Sequence, residues 1–244
     1  MIRAIAAIAA AVPGVCGATV LALPAPPNLL SYPNWTLATT LPPRDAFPPD
    51  WDYSVHGFLG RAIPPAPAPA PPPTAVFTPP ECGQLPALLT APGTAAATVS
   101  GSYPDHPDQI LVARPATAYD ANATGEIDRT GPQTRFTLWA VTDGPGLIAD
   151  YRTWLHGCAG YRVATAGHRR TVTTEIRDAP VARVDTALAI TRTFSGAGAA
   201  PRSYRVEFHP VRGLLLECST TLTGADGDEM LRLASPTLRK LRGL

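Results

Sequence analysis

The sequence predicts an α+β fold in which an antiparallel sheet of five to seven strands is flanked by two main helices. The first observation is a segment over residues 143–158 whose apolar residues recur at helical spacing. The second is a series of segments between residues 161 and 222 in which apolar and polar residues alternate, as in half-buried strands. The third is another helical pattern near the C-terminus.

The first helix is predicted from apolar residues that share one stripe, namely Leu147, Ile148, Tyr151, Trp154, Leu155 and Cys158. Asp143 can cap its N-terminus, and Pro145 suits its first turn, where a missing N–H is no loss. Gly157 is expected to end the helix. We therefore expect this helix to bury its apolar face and to bring Cys158 to the body of the fold.

The N-terminus has the pattern of a secretory signal peptide over residues 1–22, with Arg3 as its charged part and an uncharged Ala/Ile-rich stretch after it. An uncleaved anchor is the alternative, because residues 4–23 are long enough to span a membrane. Lipidation of Cys16 is a third reading, although Val15 is larger than the residue preferred before a lipidated cysteine. We expect a secreted or cell-envelope protein on the outer side of the cytoplasmic membrane, tethered through the N-terminus if that segment is retained or lipidated.

After the signal, residues 23–48 lack periodicity and predict a disordered lead-in. A single sensor-like domain is expected over residues 49–244, with a Pro-rich loop at 64–80. A short helix is predicted from Pro79 to Leu89.

We expect five to seven sheet strands to come from nine candidate segments. The candidates are 51–58, 94–101, 109–114, 134–143, 161–165, 171–177, 183–194, 203–209 and 213–222. The C-terminal helix places Leu231, Ala234, Leu238 and Leu241 on one side. Asp226 or Asp228 can cap it, and Pro236 is expected to kink it or shift its start.

Three cysteines follow the signal, which in an exported protein predicts one disulfide and one thiol. Cys82–Cys158 is the favoured pair, because both cysteines lie at helix ends beside turn residues. Cys218 lies in an apolar strand and is expected to be a buried thiol. Pairing of Cys158 with Cys218 stays open at the level of the sequence.

The sequence predicts no catalytic, cofactor-binding or metal-binding residues and no cofactor. It has no phosphate-binding loop, no nucleophile elbow and no pair of histidines at metal-ligand spacing. Nucleic acid is not an expected partner, because the net charge is +1 and the longest basic run is His168-Arg169-Arg170. Lys240 is the only lysine among 20 lysines and arginines, which indicates GC-rich codon usage such as that of an actinobacterium.

The strand pattern also places several arginines on the side opposite the apolar residues, where a solvated sheet face is the plainest expectation. Together with a nearby tyrosine, such a face could hold an anionic or sugar-like ligand. The candidate ligand-face residues are Arg135, Arg162, Arg192, Tyr204 and Arg205.

The order of elements resembles a known family. The residues that carry the resemblance are a strand after Phe47-Pro48-Pro49-Asp50-Trp51, the Pro80-Glu81-Cys82 motif, the strand over 135–141 and the Leu147–Cys158 helix. This order resembles the extracellular sensor domain of the mycobacterial serine/threonine protein kinase H and its stand-alone secreted or lipid-anchored relatives, over about residues 45–244. The resemblance implies a twisted antiparallel sheet flanked by helices, a cleft that receives a ligand, and no catalytic activity. Kinase-type members carry two disulfides, whereas three mature cysteines can close only one here.

The expected function is therefore that of an exported cell-envelope protein whose non-catalytic, sensor-like domain binds a small envelope ligand or an envelope protein. The sequence contains no kinase domain, so a sensing role is expected to need a separate partner. A secreted hydrolase with a non-standard site is the alternative, and it requires one of His156, His168 or His209 to meet both a hydroxyl and a carboxylate. A purely structural interaction module is a third hypothesis, favoured by a flat and extensive apolar surface.

Overall fold

A computed structural model of the chain describes residues 27–57, 75–90, 92–102, 133–165, 168–177, 187–196 and 199–244. The predicted signal peptide over 1–22, the proline run over 64–74 and the predicted strand over 109–114 lie outside the described residues.

The described strands form one antiparallel sheet in the order β1-β3-β4-β9-β8-β7-β6-β5-β2. Numbered β1 to β9 along the chain, their bounds are Asp52–Gly57, Val76–Thr78, Thr94–Ser102, Gln133–Ala140, Gly160–Thr165, His168–Arg177, Leu188–Gly196, Ala199–Val211 and Leu214–Thr220. The predicted count of five to seven strands is too low. All the described candidate strands join the same sheet, and β2 adds a three-residue edge strand within the predicted Pro-rich loop.

Five α-helices occur in the described part of the chain: α1 at Asn34–Ala38, α2 at Ala87–Thr90, α3 at Gly144–Cys158, α4 at Gly224–Arg232 and α5 at Ala234–Gly243. Helix α3 matches the prediction: the Asp143 carboxylate accepts a hydrogen bond of 2.8 Å from the backbone N–H of Gly146. The helix continues one residue beyond Gly157.

The other two predicted helices are each divided in the structure. The predicted helix over 79–89 is a 3₁₀ turn at Pro80–Gly83 followed by α2, since Pro86 cannot continue the hydrogen bonding of a preceding turn. The C-terminal helix is interrupted at Leu233, and Pro236 lies in the first turn of α5, where a proline is tolerated. Neither Asp226 nor Asp228 caps α4, because Thr223 holds the N-cap position without a side-chain hydrogen bond.

Both faces of the sheet are covered over its central strands, which corrects the expectation of one wet face. Helix α3 packs on the face that carries Val206 and Phe208, here called the α3 face. Helices α4 and α5 pack on the opposite face, here called the terminal-helix face, which carries Leu216 and Cys218. Alternation therefore separates two buried faces in the central strands, and the exposed part of the terminal-helix face lies towards β5 and β6.

The predicted disordered lead-in over 23–48 does not hold for residues 27–48. Leu29, Leu37, Leu41 and Phe47 are each 4% exposed or less and belong to the core of the terminal-helix face. The backbone N–H of Leu29 also donates to the carbonyl of Arg212 at 3.0 Å. The prolines of this segment favour extended backbone, so its leucines reach the core without regular periodicity.

A disulfide joins Cys82 to Cys158, the pair favoured by the sequence, and Cys218 is a buried free cysteine. Cys82 follows β2, Cys158 precedes β5, and these two strands pair through Phe77 and Val163. The bond therefore lies beside the short edge strand of the sheet. Within the described residues, no helix has the length and apolar character needed to cross a membrane.

Candidate functional site

The five predicted ligand-face residues do not share one surface. Arg135, Arg192 and Tyr204 lie on the α3 face and are buried, with exposed fractions of 6%, 0% and 7%. Arg162 is exposed, and Arg205 lies on the terminal-helix face. The expectation of a common wet face is wrong because the α3 face is covered.

Arg192 is built into the core of the α3 face. Its Nη2 atom donates to the hydroxyl of Tyr161 at 2.8 Å, and its guanidinium lies 5.7 Å from the ring centroid of Phe194. The ring of Tyr204 stacks on Phe194 with centroids 5.5 Å apart. These contacts give Arg192 and Tyr204 a packing role that periodicity alone could not distinguish from an exposed one.

On the terminal-helix face, a groove of about 510 Å³ lies between α4 and strands β6, β7 and β8. Its charged residues are Arg177 from β6, Arg205 and Glu207 from β8, and Asp228 and Arg232 from α4. Three arginines therefore oppose two carboxyl groups. Such an arrangement can bind a ligand that has an anionic part and a hydrogen-bond donor.

The register of the sheet and the pitch of α4 explain why these residues converge. Arg177 pairs with Ala189 and Ala189 pairs with Glu207, so the three form one row on the same face, with the smallest side chain in the middle. The α4 residues that line the groove, Gly224, Asp228, Leu231 and Arg232, fall on one helical stripe.

Glu207 is the most buried charged residue of the groove, with 1% of its surface exposed. Its Oε2 atom lies 3.0 Å from Nε2 of His209, which is itself 4% exposed. Its Oε1 atom is buried and receives no hydrogen bond from any described residue. A buried carboxyl oxygen without a donor is unusual in a folded protein, and it keeps its capacity to accept a hydrogen bond.

Arg205 is held by Asp228, whose Oδ1 atom lies 2.6 Å from Nη2 of the guanidinium. Gly227 allows this approach, because a Cβ at that position would stand 2.5 Å from the carbonyl oxygen of Leu222 and 3.1 Å from Nη1 of Arg205. By contrast, neither Arg177 nor Arg232 forms an ion pair within the described residues. Among the charged side chains that line the groove, these two guanidinium groups have no ionic partner in the described part of the chain.

The hydrolase hypothesis requires a histidine that meets both a hydroxyl and a carboxylate, and no histidine side chain in the described part of the chain does so. His209 has a carboxyl partner in Glu207, but no hydroxyl of the described residues hydrogen-bonds to it. His156 is exposed on α3, and the side chain of His168 lies outside the described residues. The nearby thiol of Cys218 is not an activated nucleophile, because burial, with Glu207 and Glu217 adding to it, raises its pKa well above 9.0.

No group of three or more histidine, cysteine and carboxylate side chains that could hold a metal ion occurs among the described residues. The large apolar side chains exposed in the same part of the chain are Leu30, Trp35, Val55, Val76 and Ile176. Val55 and Val76 lie on strands β1 and β2, at opposite edges of the sheet, so these side chains do not make the flat apolar surface expected of a structural interaction module.

Of the groove residues, the sequence prediction includes only Arg205. The alternation over 203–209 places Glu207 and His209 on the same side as Arg205. This pattern is the sequence signal from which Glu207 could have been included in the candidate site. It could not reveal that α4 covers this side, or that Arg177 pairs through Ala189 with Glu207.

Comparison with known proteins gives similarity in structure only. No known protein family matches the chain, and no curated protein matches it. One similar solved structure is the extracellular domain of PknH from Mycobacterium tuberculosis, with a TM-score of 0.48 and 10% identity, covering 87% of this chain and 99% of that one. Another is an uncharacterised Mycobacterium smegmatis protein, an ortholog of Rv0999, with a TM-score of 0.45 and 12% identity, covering 86% and 96%.

Proposed function

We propose that this chain is an exported cell-envelope protein whose α+β domain binds a small ligand in the groove under α4, without catalysis. The observation that carries this proposal is the buried Glu207, whose Oε1 atom lacks a donor among the described residues in a groove that also presents Arg177 and Arg232. A concave site with a few convergent polar groups is the common form of a small-molecule site.

Export is supported by the Cys82–Cys158 disulfide, because such bonds persist in oxidising compartments and are rare in the cytosol. It is also supported by the signal-peptide pattern over residues 1–22. Absence of catalysis is supported by His209, which has a carboxyl neighbour but no hydroxyl neighbour in the described residues.

A thermal-shift screen of the oxidised protein tests ligand binding. Envelope glycans, lipid headgroups and small anions are the compounds to screen, and a ligand of the groove should raise the Tm in proportion to its saturation. The same compounds are then tested on the double variant Arg177→Ala/Arg232→Ala, which should lose the shift.

Arg162→Ala is the matched control, because Arg162 is an exposed sheet arginine that does not line the groove. Its shift should equal that of the wild type. Equal shifts in all three proteins would place binding elsewhere, and the absence of any shift across the screen would count against ligand binding.

Export is tested by expressing the full-length gene in an actinobacterial host and measuring the intact mass of the protein recovered from the envelope and the medium. The expected mass lacks residues 1–22 and is 2 Da lower than that of the fully reduced chain, because one disulfide has formed. A full-length mass found only in the cytosol, with no disulfide, would contradict export.

A further inference from the structure

The chemistry of the ligand can be inferred from the row formed by Arg177, Ala189 and Glu207. Neighbouring strands lie about 4.8 Å apart, so the Cα atoms of Arg177 and Glu207 are roughly 10 Å apart. Ala189 between them is 5% exposed and has only a methyl group. The floor of the groove is thus a shallow apolar spot between a basic side chain and an acidic one.

The acidic end of the row requires a hydrogen-bond donor. His209 occupies Oε2 of Glu207 and leaves Oε1 without a partner in the described residues. The nearest arginine along β8, Arg205, is engaged by Asp228 at 2.6 Å. Burial removes the hydration of a carboxyl oxygen, and a charged N–H donor compensates for this better than a neutral one.

The basic end of the row requires an anion. Arg177 and Arg232 approach the groove from the sheet and from α4, and neither has an acidic partner among the described residues. Gly224, the first residue of α4, also lines the groove but adds no side chain there. Leu231 supplies an apolar wall.

From this arrangement we infer that the groove binds a small zwitterion. Its ammonium group donates a hydrogen bond to Oε1 of Glu207, its carboxylate or phosphate contacts Arg177 and Arg232, and its short carbon linker lies over Ala189 against Leu231. This inference rests on the proposed function, because it names the ligand class of the same groove. The zwitterion can be a soluble amino acid or the headgroup of an aminophospholipid.

The test compares probes with and without an N–H donor, by isothermal titration calorimetry on the oxidised wild-type protein. O-phosphoethanolamine carries a primary ammonium, phosphocholine has the same phosphate but no N–H, and inorganic phosphate has no amine at all. The N–H to Oε1 bond should make O-phosphoethanolamine bind at least tenfold more tightly than phosphocholine. Alanine and propionate make the corresponding pair for a carboxylate ligand, because propionate has no hydrogen-bond donor in place of the ammonium.

Glu207→Gln keeps the size of the side chain but removes its charge, and should lower the affinity for O-phosphoethanolamine at least tenfold while leaving that for inorganic phosphate within about twofold. Glu175→Gln is the matched control, since Glu175 is an exposed carboxylate on the same face that does not line the groove. Near-UV circular dichroism establishes that Glu207→Gln is folded. If this variant is not folded, the comparison of O-phosphoethanolamine with phosphocholine on the wild-type protein is the deciding test.

The source of the zwitterion is decided by vesicles of phosphatidylethanolamine and phosphatidylcholine. Binding to the former alone, with no response to either soluble amine, assigns the site to a lipid headgroup, whereas binding of a soluble amine assigns it to a free zwitterion. Equal affinity for probes with and without an amine would overturn the inference of a zwitterionic ligand. The groove would then be an anion site, with a proton or a water at Oε1. No binding of any probe to soluble protein or vesicles, with no compound active in the thermal-shift screen, would overturn the proposed function as well.

Discussion

Arg205 and Asp228 form an ion pair in which Nη2 and Oδ1 are 2.6 Å apart, and this pair joins strand β8 to helix α4 across the groove. The arginine side chain is 12% exposed, whereas the carboxylate is 52% exposed. The pair therefore holds the helix over the sheet from the solvent side of the groove. While it is engaged in this pair, Arg205 donates no hydrogen bond to Oε1 of Glu207.

A double-mutant cycle with Arg205→Gln and Asp228→Asn should give a coupling free energy of about 0.5 kcal/mol. The value is small because water screens the exposed carboxylate. Urea unfolding measures it, and the coupling should fall further in 1 M salt. A coupling above about 2 kcal/mol that does not depend on salt would mean that the pair is desolvated, contrary to the exposure of Asp228.

Gly227→Ala should destabilise the protein by about 1–3 kcal/mol, although alanine is the better helix former. The reason is steric, because the new Cβ would meet the fixed carbonyl oxygen of Leu222 at 2.5 Å. Gly157→Ala in α3 is the matched control. It has no atom within 4 Å of the new Cβ and should stabilise by up to about 0.5 kcal/mol. Urea unfolding of both variants checks the difference in sign, and equal effects would contradict close packing at Gly227.

The central part of the fold could be predicted from sequence because its residues follow simple periods. Tyr204, Val206 and Phe208 alternate along β8, and Leu147, Tyr151 and Leu155 repeat along α3. Edge strand β2 has three residues between prolines, so no period could develop there. The prediction of a disordered lead-in is wrong over residues 27–48 for a similar reason, since Leu29 and Leu37 reach the core without regular periodicity.

The site was harder to predict because it depends on which side of a strand is covered. Arg192 and Arg205 look alike in the alternating pattern, yet Arg192 is in the core under α3 and Arg205 is at the groove. Pairing of Glu207 with Ala189 is a property of the strand register. A single sequence contains no local signal for that register, because turn lengths and distant packing determine it.

Replacing His209 by leucine should cost about 3 kcal/mol, because Glu207 would then be buried with neither carboxyl oxygen bound by a described donor. The double variant Glu207→Leu/His209→Leu should recover most of this loss, since it removes both polar groups and adds apolar surface. Urea unfolding of the two single variants and the double variant measures the coupling. Additive losses would show that the two side chains do not act as a pair.

Stability should depend on Cys218 at alkaline pH. Burial raises the pKa of this thiol well above 9.0, with Glu207 and Glu217 adding to the effect, so the folded protein holds the proton more tightly than the unfolded chain. The resulting stabilisation is complete below the pKa of the unfolded thiol and is lost as the pH rises through the folded value. The free energy of unfolding of the wild type should therefore fall more steeply with pH above about pH 8.5, the ordinary pKa of a thiol, than that of Cys218→Ala. If the free energies of unfolding of the two proteins depend on pH in the same way, the pKa of the Cys218 thiol is not raised by folding.

Removing the disulfide with Cys82→Ala/Cys158→Ala should lower the free energy of unfolding by about 4 kcal/mol, because the bond closes a loop with a sequence separation of 76 residues. The unfolded chain gains the conformations that the bond excludes. Cys218→Ala, which leaves the bond intact, is the control for loss of a buried cysteine side chain. A loss of less than about 1 kcal/mol relative to that control would contradict the role of the bond as a tie.

The loss should also be local, because the bond lies beside the pairing of β2 with β5. Strand β2 has three residues and one neighbour in the sheet, so little besides Phe77 and the disulfide holds it in place. Hydrogen exchange under native conditions should show faster exchange at Val76–Thr78 in the double variant, while the amides of β8 and β9 in the middle of the sheet keep their protection. If all strands lose protection equally, the bond stabilises the sheet only as a whole, and the helix that ends at Cys158 does not specifically secure the edge strand.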